Sequence, residues 1–218
     1  MPQNGLGPAG AIMDRLGVTP RGDESAAAAS HDGDGDGDGD GDGDGPVRPV
    51  RREMNSAEMR RYLTELGERL ASRGLTGQIV LAGGAVMVMA LEARGGSSDI
   101  DAVFEGEAES IRQAIPEVAL AHGLPPIWLN DHVSAYVAQD APTVEFFEVP
   151  GLRVRMVRLD YLFYMKAWAG DPVDQRDLRT IAKALAVKDE HEAYDIVRRY
   201  SPGELSREVQ ILLESLFE

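Results

Sequence analysis

The sequence contains no cysteine, which excludes disulfide bonds, thiolate metal ligands and cysteine nucleophiles. It also has no apolar run near the roughly 18 residues that a membrane-spanning helix requires, and no signal peptide pattern at its start. We therefore expect a cytoplasmic protein that does not associate with a membrane. The 218 residues, 43% of them hydrophobic, suit one globular domain or one domain with a helical extension.

Basic residues are scarce as well, with 22 Lys and Arg against 37 Asp and Glu and a net charge of -15. Residues 1–50 contribute -7 of this charge, and the remaining chain still carries -8. A protein that binds nucleic acid through its phosphates normally shows a basic stripe, and none is obvious in this sequence. The charge argues against tight nonspecific nucleic-acid binding but leaves RNA open as a substrate docked by a local patch.

Residues 1–53 are predicted to form a disordered, low-complexity tail. From Asp32 to Gly45 aspartate and glycine alternate, so there is no apolar side chain to bury and much backbone entropy to lose. A calcium-binding EF-hand loop shares this alternation but needs a Glu at its twelfth position. No frame of the stretch supplies that Glu, so we expect no calcium site.

The rest of the chain predicts a mixed α/β (α+β) fold, with an α/β core over residues 54–158 and a helical region over 159–218. Apolar runs predict strands at 78–81, 99–104, 143–149 and 152–157. Apolar spacing and caps predict helices at 56–73, 85–93, 107–121, 160–169, 173–186, 190–199 and 204–217. Pro116 is expected to kink or break the third of these helices, and residues 124–140 are expected to be irregular.

Two features near the first two strands carry chemistry. Asp99 and Asp101 lie two apart on a predicted strand, so their side chains share a face, and their mutual repulsion would be relieved by a cation. Hard oxygen ligands of this kind suit Mg²⁺ or Mn²⁺. Gly83 and Gly84 lie between a strand and a helix, where phosphate can approach the backbone closely, and Arg94 is able to contact phosphate.

The order of these residues resembles the signature of the DNA polymerase β-type nucleotidyltransferase superfamily. A Gly-Gly pair and a short helix precede Arg94, Ser97 and the Asp99-Ile100-Asp101 motif, and downstream a helical Lys166 precedes Asp174-x-x-Asp177. Over roughly residues 75–185 the chain is most similar to bacterial minimal nucleotidyltransferases and to AbiEii-like toxin enzymes.

The resemblance implies a role for each matching residue. Gly83, Gly84, Arg94 and Ser97 would lie near the triphosphate of an NTP, and Asp99 and Asp101 would hold Mg²⁺ or Mn²⁺. Lys166 would contact phosphate or support the catalytic site, and Asp174 would orient this lysine or help the acceptor. Glu145 is the choice for the family's third catalytic and metal-binding acid, and Glu148 is the rival. A site with two carboxylates is the fallback.

Plainer interpretations stand beside these roles. Lys166 could be a surface lysine, and Asp174 and Asp177 could belong to a solvated helix face with Arg176 and Arg179. The aromatic residues of the helix predicted at 160–169 are expected to belong to the core rather than to form a base-stacking platform; they are Tyr161, Phe163, Tyr164 and Trp168.

The expected activity is metal-dependent transfer of a nucleoside monophosphate from an NTP to a hydroxyl, with release of pyrophosphate. The resemblance to toxin enzymes implies an RNA acceptor, tRNA among them, or a protein acceptor, and a cognate antitoxin as partner. The alternative is a non-catalytic module on the same fold that senses nucleotide or binds a partner.

Overall fold

The computed structural model describes residues 52–218, and these residues form a mixed α/β fold, as the sequence predicts. The Asp-Gly stretch, and with it nearly all of the predicted tail, lies outside the described residues. No helix between residues 52 and 218 is long and apolar enough to cross a membrane.

Helices and short strands alternate in the first part of the described chain, and helices alone make up its end. The first part consists of α1 (Ser56–Ser72), β1 (Gly77–Leu81), α2 (Gly83–Met89), β2 (Ile100–Glu105), α3 (Ala108–His122), β3 (Leu129–Asn130), β4 (Thr143–Val149) and β5 (Leu152–Val157). The second part consists of α4 (Leu159–Ala169), α5 (Gln175–Ala184), α6 (Glu190–Tyr200) and α7 (Arg207–Glu214). Short 3-10 turns lie at His132–Ala135 and Pro172–Asp174.

The five strands form one mixed sheet in the order β3-β2-β1-β5-β4. The central strand β1 is antiparallel to β2 and parallel to β5, and β3 is parallel to β2. Strands β4 and β5 form a hairpin, in which Gly151 turns the chain with a φ of 72°. The end of β1 therefore lies beside the start of β2, which brings the Gly-Gly pair to the Asp-x-Asp motif.

Helix α1 is amphipathic and provides much of the core against the sheet. Asn55 caps it in a capping box with Glu58, and its apolar stripe is fully buried at Met59, Tyr62, Leu63, Leu66 and Leu70. The helix packs against α3 and β5. On the other side of the molecule α4 packs against α5 and α6, so the helical region closes over the end of the sheet that holds the two glycines.

Several elements differ from their predicted form. Strand β2 begins at Ile100 rather than Asp99, so Asp99 lies in the bend before the strand. Helix α2 begins at Gly83 rather than residue 85, and α7 begins at Arg207, capped by Ser206, rather than near residue 204. Pro116 does not break α3, because the proline is exposed while Ile115 and Val118 on either side hold the helix to the core. The segment expected to be irregular contains β3, whose two residues pair with β2.

Candidate active site

Backbone hydrogen bonds fix Asp101 beside the turn that follows β1. The Ala82 amide donates to the Asp101 carbonyl at 3.0 Å, and the Ile100 amide donates to the Trp128 carbonyl at 2.7 Å. The carboxylate of Asp101 lies so close to Gly83 that a Cβ on this glycine would be 3.0 Å from Oδ2. The Asp-x-Asp motif and the Gly-Gly turn therefore form one corner of the sheet.

The two glycines meet two different requirements at this corner. Gly83 has a φ of 58°, a left-handed conformation that other residues adopt only at a cost. A Cβ on Gly84 would lie 3.0 Å from the Ser97 hydroxyl oxygen, so Ser97 also closes on the turn. Ser97 is held by a two-way backbone pairing with Met54, at 2.7 Å and 3.1 Å. The structure thus brings Gly83, Gly84, Ser97 and Asp101 together.

Asp99 and Asp101 form a half-buried pair of acids. The pKa of Asp101 is raised above its ordinary value, first by burial and then by the negative charge of Asp99. The Asn130 amide and the charges of His132 and Lys166 act in the opposite direction but leave the pKa raised. Asp99 accepts a 3.3 Å hydrogen bond from Ser98. Two carboxylates whose ionised forms disfavour each other fit a divalent cation, which relieves this repulsion.

Lys166 is buried, so its interpretation as a surface lysine is wrong. Its Nζ lies 2.5 Å from Asp174 Oδ1 and 2.8 Å from Asp177 Oδ2. Asp177 is only 2% exposed and belongs to no solvated face. Lys166 also lines a cleft together with Gly83, so a positively charged residue lies near the turn.

Arg94 belongs to the same network. Its guanidinium donates to both carboxylate oxygens of Asp177, at 2.8 Å and 2.5 Å, and lies 3.9 Å from Asp174. The side chain proposed for phosphate contact is therefore engaged by a buried acid. In this structure Arg94 fixes Asp177, which in turn holds Lys166.

The structure does not bring Glu145 or Glu148 to the carboxylate pair. Both lie on β4, at one edge of the sheet, and β5 and β1 separate that strand from β2. Glu145 pairs with Arg155 at 3.4 Å, and Glu148 lies opposite Arg153. Among residues 52–218 no group of three or more His, Asp or Glu side chains is arranged to hold a metal ion. With neither glutamate at the site, the prediction that remains is a metal site formed by two carboxylates, those of Asp99 and Asp101.

Asn130 is a site residue to which the sequence analysis assigned no role, although the segment Trp128-Leu129-Asn130-Asp131 resembles one in uncharacterised members of the superfamily. It lies opposite Asp101 in the β2–β3 pairing and is 6% exposed. Its Oδ1 accepts a 3.1 Å hydrogen bond from the His132 amide, and its Nδ2 has no hydrogen-bond partner in the described part of the chain. The amide lies near enough to lower the pKa of Asp101. A polar residue directly after the apolar Trp128-Leu129 pair was the available signal.

Comparison of the chain with protein-family models, with curated proteins and with solved structures finds no match.

Proposed function

We propose that the protein is a metal-dependent nucleotidyltransferase that moves a nucleoside monophosphate from an NTP to a hydroxyl. The observation that carries the proposal is Asp101, which lies against the Gly83 turn and is affected by the negative charge of Asp99, while neither acid has an ion-pair partner from residues 52–218. Such a pair is unfavourable in isolation and becomes favourable when a cation and a phosphate chain occupy the corner.

The residues divide the work by their chemistry. The two glycines admit the phosphates close to the backbone, since a Cβ at either position would fill that space. Lys166 supplies positive charge beside the turn, and Asp174 and Asp177 fix the position of its ammonium group. The Ser97 hydroxyl, against Gly84, is available as a hydrogen-bond donor to a phosphate oxygen.

In the proposed reaction the acceptor oxygen forms a bond to the α-phosphorus of the NTP. The bond from this phosphorus to the oxygen that bridges to the β-phosphate breaks, pyrophosphate leaves, and the acceptor proton is released to water. Asp99 and Asp101 would hold Mg²⁺ or Mn²⁺, which neutralises charge on the phosphates. The Asn130 Nδ2, which has no hydrogen-bond partner among residues 52–218, would be available as a donor at this corner.

Labelled NTPs test the activity directly. Wild-type protein with Mg²⁺ is expected to transfer the α-phosphate label to an acceptor and to release pyrophosphate. Asp99→Asn and Asp101→Asn are each expected to lower the rate at least about 100-fold, because charge stabilisation by a bound metal is worth several kcal/mol. Asp195→Asn, an exposed aspartate on α6, is the matched control and should keep full activity. Undiminished transfer by both site variants would exclude the proposed chemistry.

The acceptor is proposed to be RNA, tRNA included, or a protein hydroxyl, with an antitoxin as cognate partner. The resemblance to toxin enzymes supports this part of the proposal. Induced expression is expected to arrest growth, and co-expression of a neighbouring gene to restore it. Normal growth of cells that contain active enzyme would remove the toxin role while leaving the transferase activity in place.

A non-catalytic module is the second candidate, favoured by the absence of a three-acid cluster among residues 52–218. Such a module would bind NTP through the same corner without turnover. Calorimetry with an NTP separates the two functions: binding that depends on Mg²⁺ and is followed by pyrophosphate release supports the enzyme. Binding without Mg²⁺ dependence or turnover supports the module.

A further inference from the structure

A cleft of about 710 Å³ opens beside the Gly83 turn. Gly83, Lys166 and Asp174 line part of it, and these are the residues that connect it to the carboxylate corner. The rest of the wall is mainly apolar and comes from α4 and from the 3-10 turn that follows β3. Small-molecule sites typically combine a concave apolar wall with a few polar groups, in volumes of roughly 300–1,000 Å³.

Three aromatic side chains line this cleft, and they are accessible. Tyr136 is 77% exposed and Trp168 is 41% exposed, and Tyr164 is partly buried. Tyr164 and Trp168 are one helical turn apart on α4, with ring centroids separated by 6.0 Å.

The accessible rings differ from those of the core. Phe163 and Tyr161, on the same helix, are buried, as expected from the sequence, but Tyr164 and Trp168 are not confined to the core. Aromatic residues make up only 6% of the chain, so three of them around one cleft is a local concentration. Flat aromatic faces beside a phosphate-binding turn suit a ligand that joins a planar ring to a chain of phosphates.

We propose that this cleft binds the nucleobase of the NTP, with Trp168, Tyr164 and Tyr136 as its stacking surface. The inference rests on the proposed function, because it assumes that the triphosphate occupies the Gly83–Gly84 turn. The phosphates of the nucleotide would then lie near the charged Lys166, and its base would stack on the aromatic wall. An apolar protein partner would have no use for the buried ammonium group and the glycine turn at the same cleft.

Binding measurements separate the base from the phosphates. In the presence of Mg²⁺ the wild-type protein is titrated with each of the four NTPs and with inorganic tripolyphosphate. At least one NTP is expected to bind about tenfold or more tightly than tripolyphosphate and to quench tryptophan emission, since stacking on Trp168 affects the more exposed of the two tryptophans. Trp128 is fully buried and serves as an internal reference. Tripolyphosphate is expected to compete with the NTP without quenching.

Variants test which residues carry the difference. Trp168→Ala and Tyr136→Ala are each expected to weaken NTP binding about tenfold and to leave tripolyphosphate binding unchanged. Leu120→Ala removes an 87% exposed apolar side chain on α3 and should change neither. Because both aromatic side chains are exposed, unchanged thermal melting is expected and shows that the variants are folded.

The remaining outcomes each overturn a distinct statement. If tripolyphosphate binds as tightly as every NTP, or if both aromatic variants keep full NTP affinity, the base lies elsewhere and the inference is wrong while the proposed function stands. If neither NTP nor tripolyphosphate binds, the proposed function fails and the inference with it. If the variants abolish self-association of the protein but leave NTP affinity intact, the cleft is an interface between copies of the chain.

Discussion

Two groups of partly or fully buried aspartates differ in what neutralises their charge. Asp177 and Asp160 are 2% and 6% exposed, and each is surrounded by cationic side chains of the chain itself. Asp177 receives Arg94 and Lys166, and Asp160 receives Arg158 at 2.6 Å and Arg199 at 3.3 Å. Within residues 52–218 the Asp99–Asp101 pair has no such ion-pair partner, and Asn130 lies opposite Asp101 in the sheet.

This difference distinguishes an aspartate with a structural role from one that is able to bind an added cation. A buried carboxylate that is already paired gains little from an added cation, whereas one that is held next to another acid gains much. The negative charge of Asp177 is therefore neutralised by cationic side chains of the protein, whereas that of Asp101 is not. The predictions below test this contrast, beginning with the variant expected to change stability most.

Asp177→Ala is expected to be the most destabilising change. It leaves the Arg94 guanidinium and the buried Lys166 ammonium without their shared partner, although Lys166 keeps Asp174. Removal of one partner of a buried ion pair costs about 3–5 kcal/mol, and the remaining aspartate reduces this to about 2–4 kcal/mol. Urea denaturation measures the change. The exposed control Asp195→Ala should stay within about 0.5 kcal/mol, and an equally small cost at Asp177 would remove the contrast.

Gly83→Ala is expected to have an intermediate effect. An alanine at this position would have to adopt a φ of 58°, and its Cβ would lie 3.0 Å from Asp101 Oδ2. We expect a loss of about 1–2 kcal/mol in stability, measured by thermal melting, together with weaker NTP binding. Gly203→Ala is the control, because a Cβ there meets no atom within 4 Å. Equal effects of the two substitutions would mean that the corner tolerates a side chain.

Asp101→Asn is expected to stabilise the protein slightly when divalent cations are absent. Because the pKa of Asp101 is raised in the folded state, its ionised form weakens folding above that pKa, and this penalty disappears as the pH falls below the unfolded-state pKa. We expect a gain of up to about 1 kcal/mol at neutral pH and none in acid.

Thermal melting across a pH series, with EDTA and then with Mg²⁺ and an NTP, measures this gain. With Mg²⁺ and NTP present, the wild type should become more stable than Asp101→Asn. The reason is that a ligand that binds only the wild type stabilises it in proportion to RT ln(1 + [L]/Kd). A variant that is less stable than wild type at neutral pH in EDTA would show that Asp101 has a structural role, like Asp177.

Local sequence was sufficient for the elements with strong local signals. The bounds of β4 and β5 were predicted correctly, because the Pro150-Gly151 turn divides two alternating apolar runs. Strand β3 was missed because two residues carry no detectable period, and only the distant strand β2 makes them a strand. The start of α2 at Gly83 was also missed, since glycine is a poor helix former and normally argues for a loop.

Spacing alone predicted the candidate site only where its residues are neighbours in the chain, whereas Lys166 and its partner Asp174 came from the family resemblance, and the structure pairs them at 2.5 Å. Asp99 and Asp101, and the two glycines, were recognisable from their spacing, and the β1–β2 pairing brings them together. Glu145 failed to join them because strand order decides which acid on another strand is near, and strand order is not encoded locally. The link from Arg94 to Asp177 spans 83 residues and could not be inferred from spacing.

The pairing of Met54 with Ser97 has a practical consequence for work with this protein. Met54 is hydrogen-bonded to Ser97, and Glu53 lies against Gly96, so these two residues border the carboxylate corner. A protein truncated to begin at Glu53 would therefore place a fused tag beside the proposed entrance for substrate. The assays proposed above therefore use the full chain, in which 53 residues stand between an amino-terminal tag and Met54.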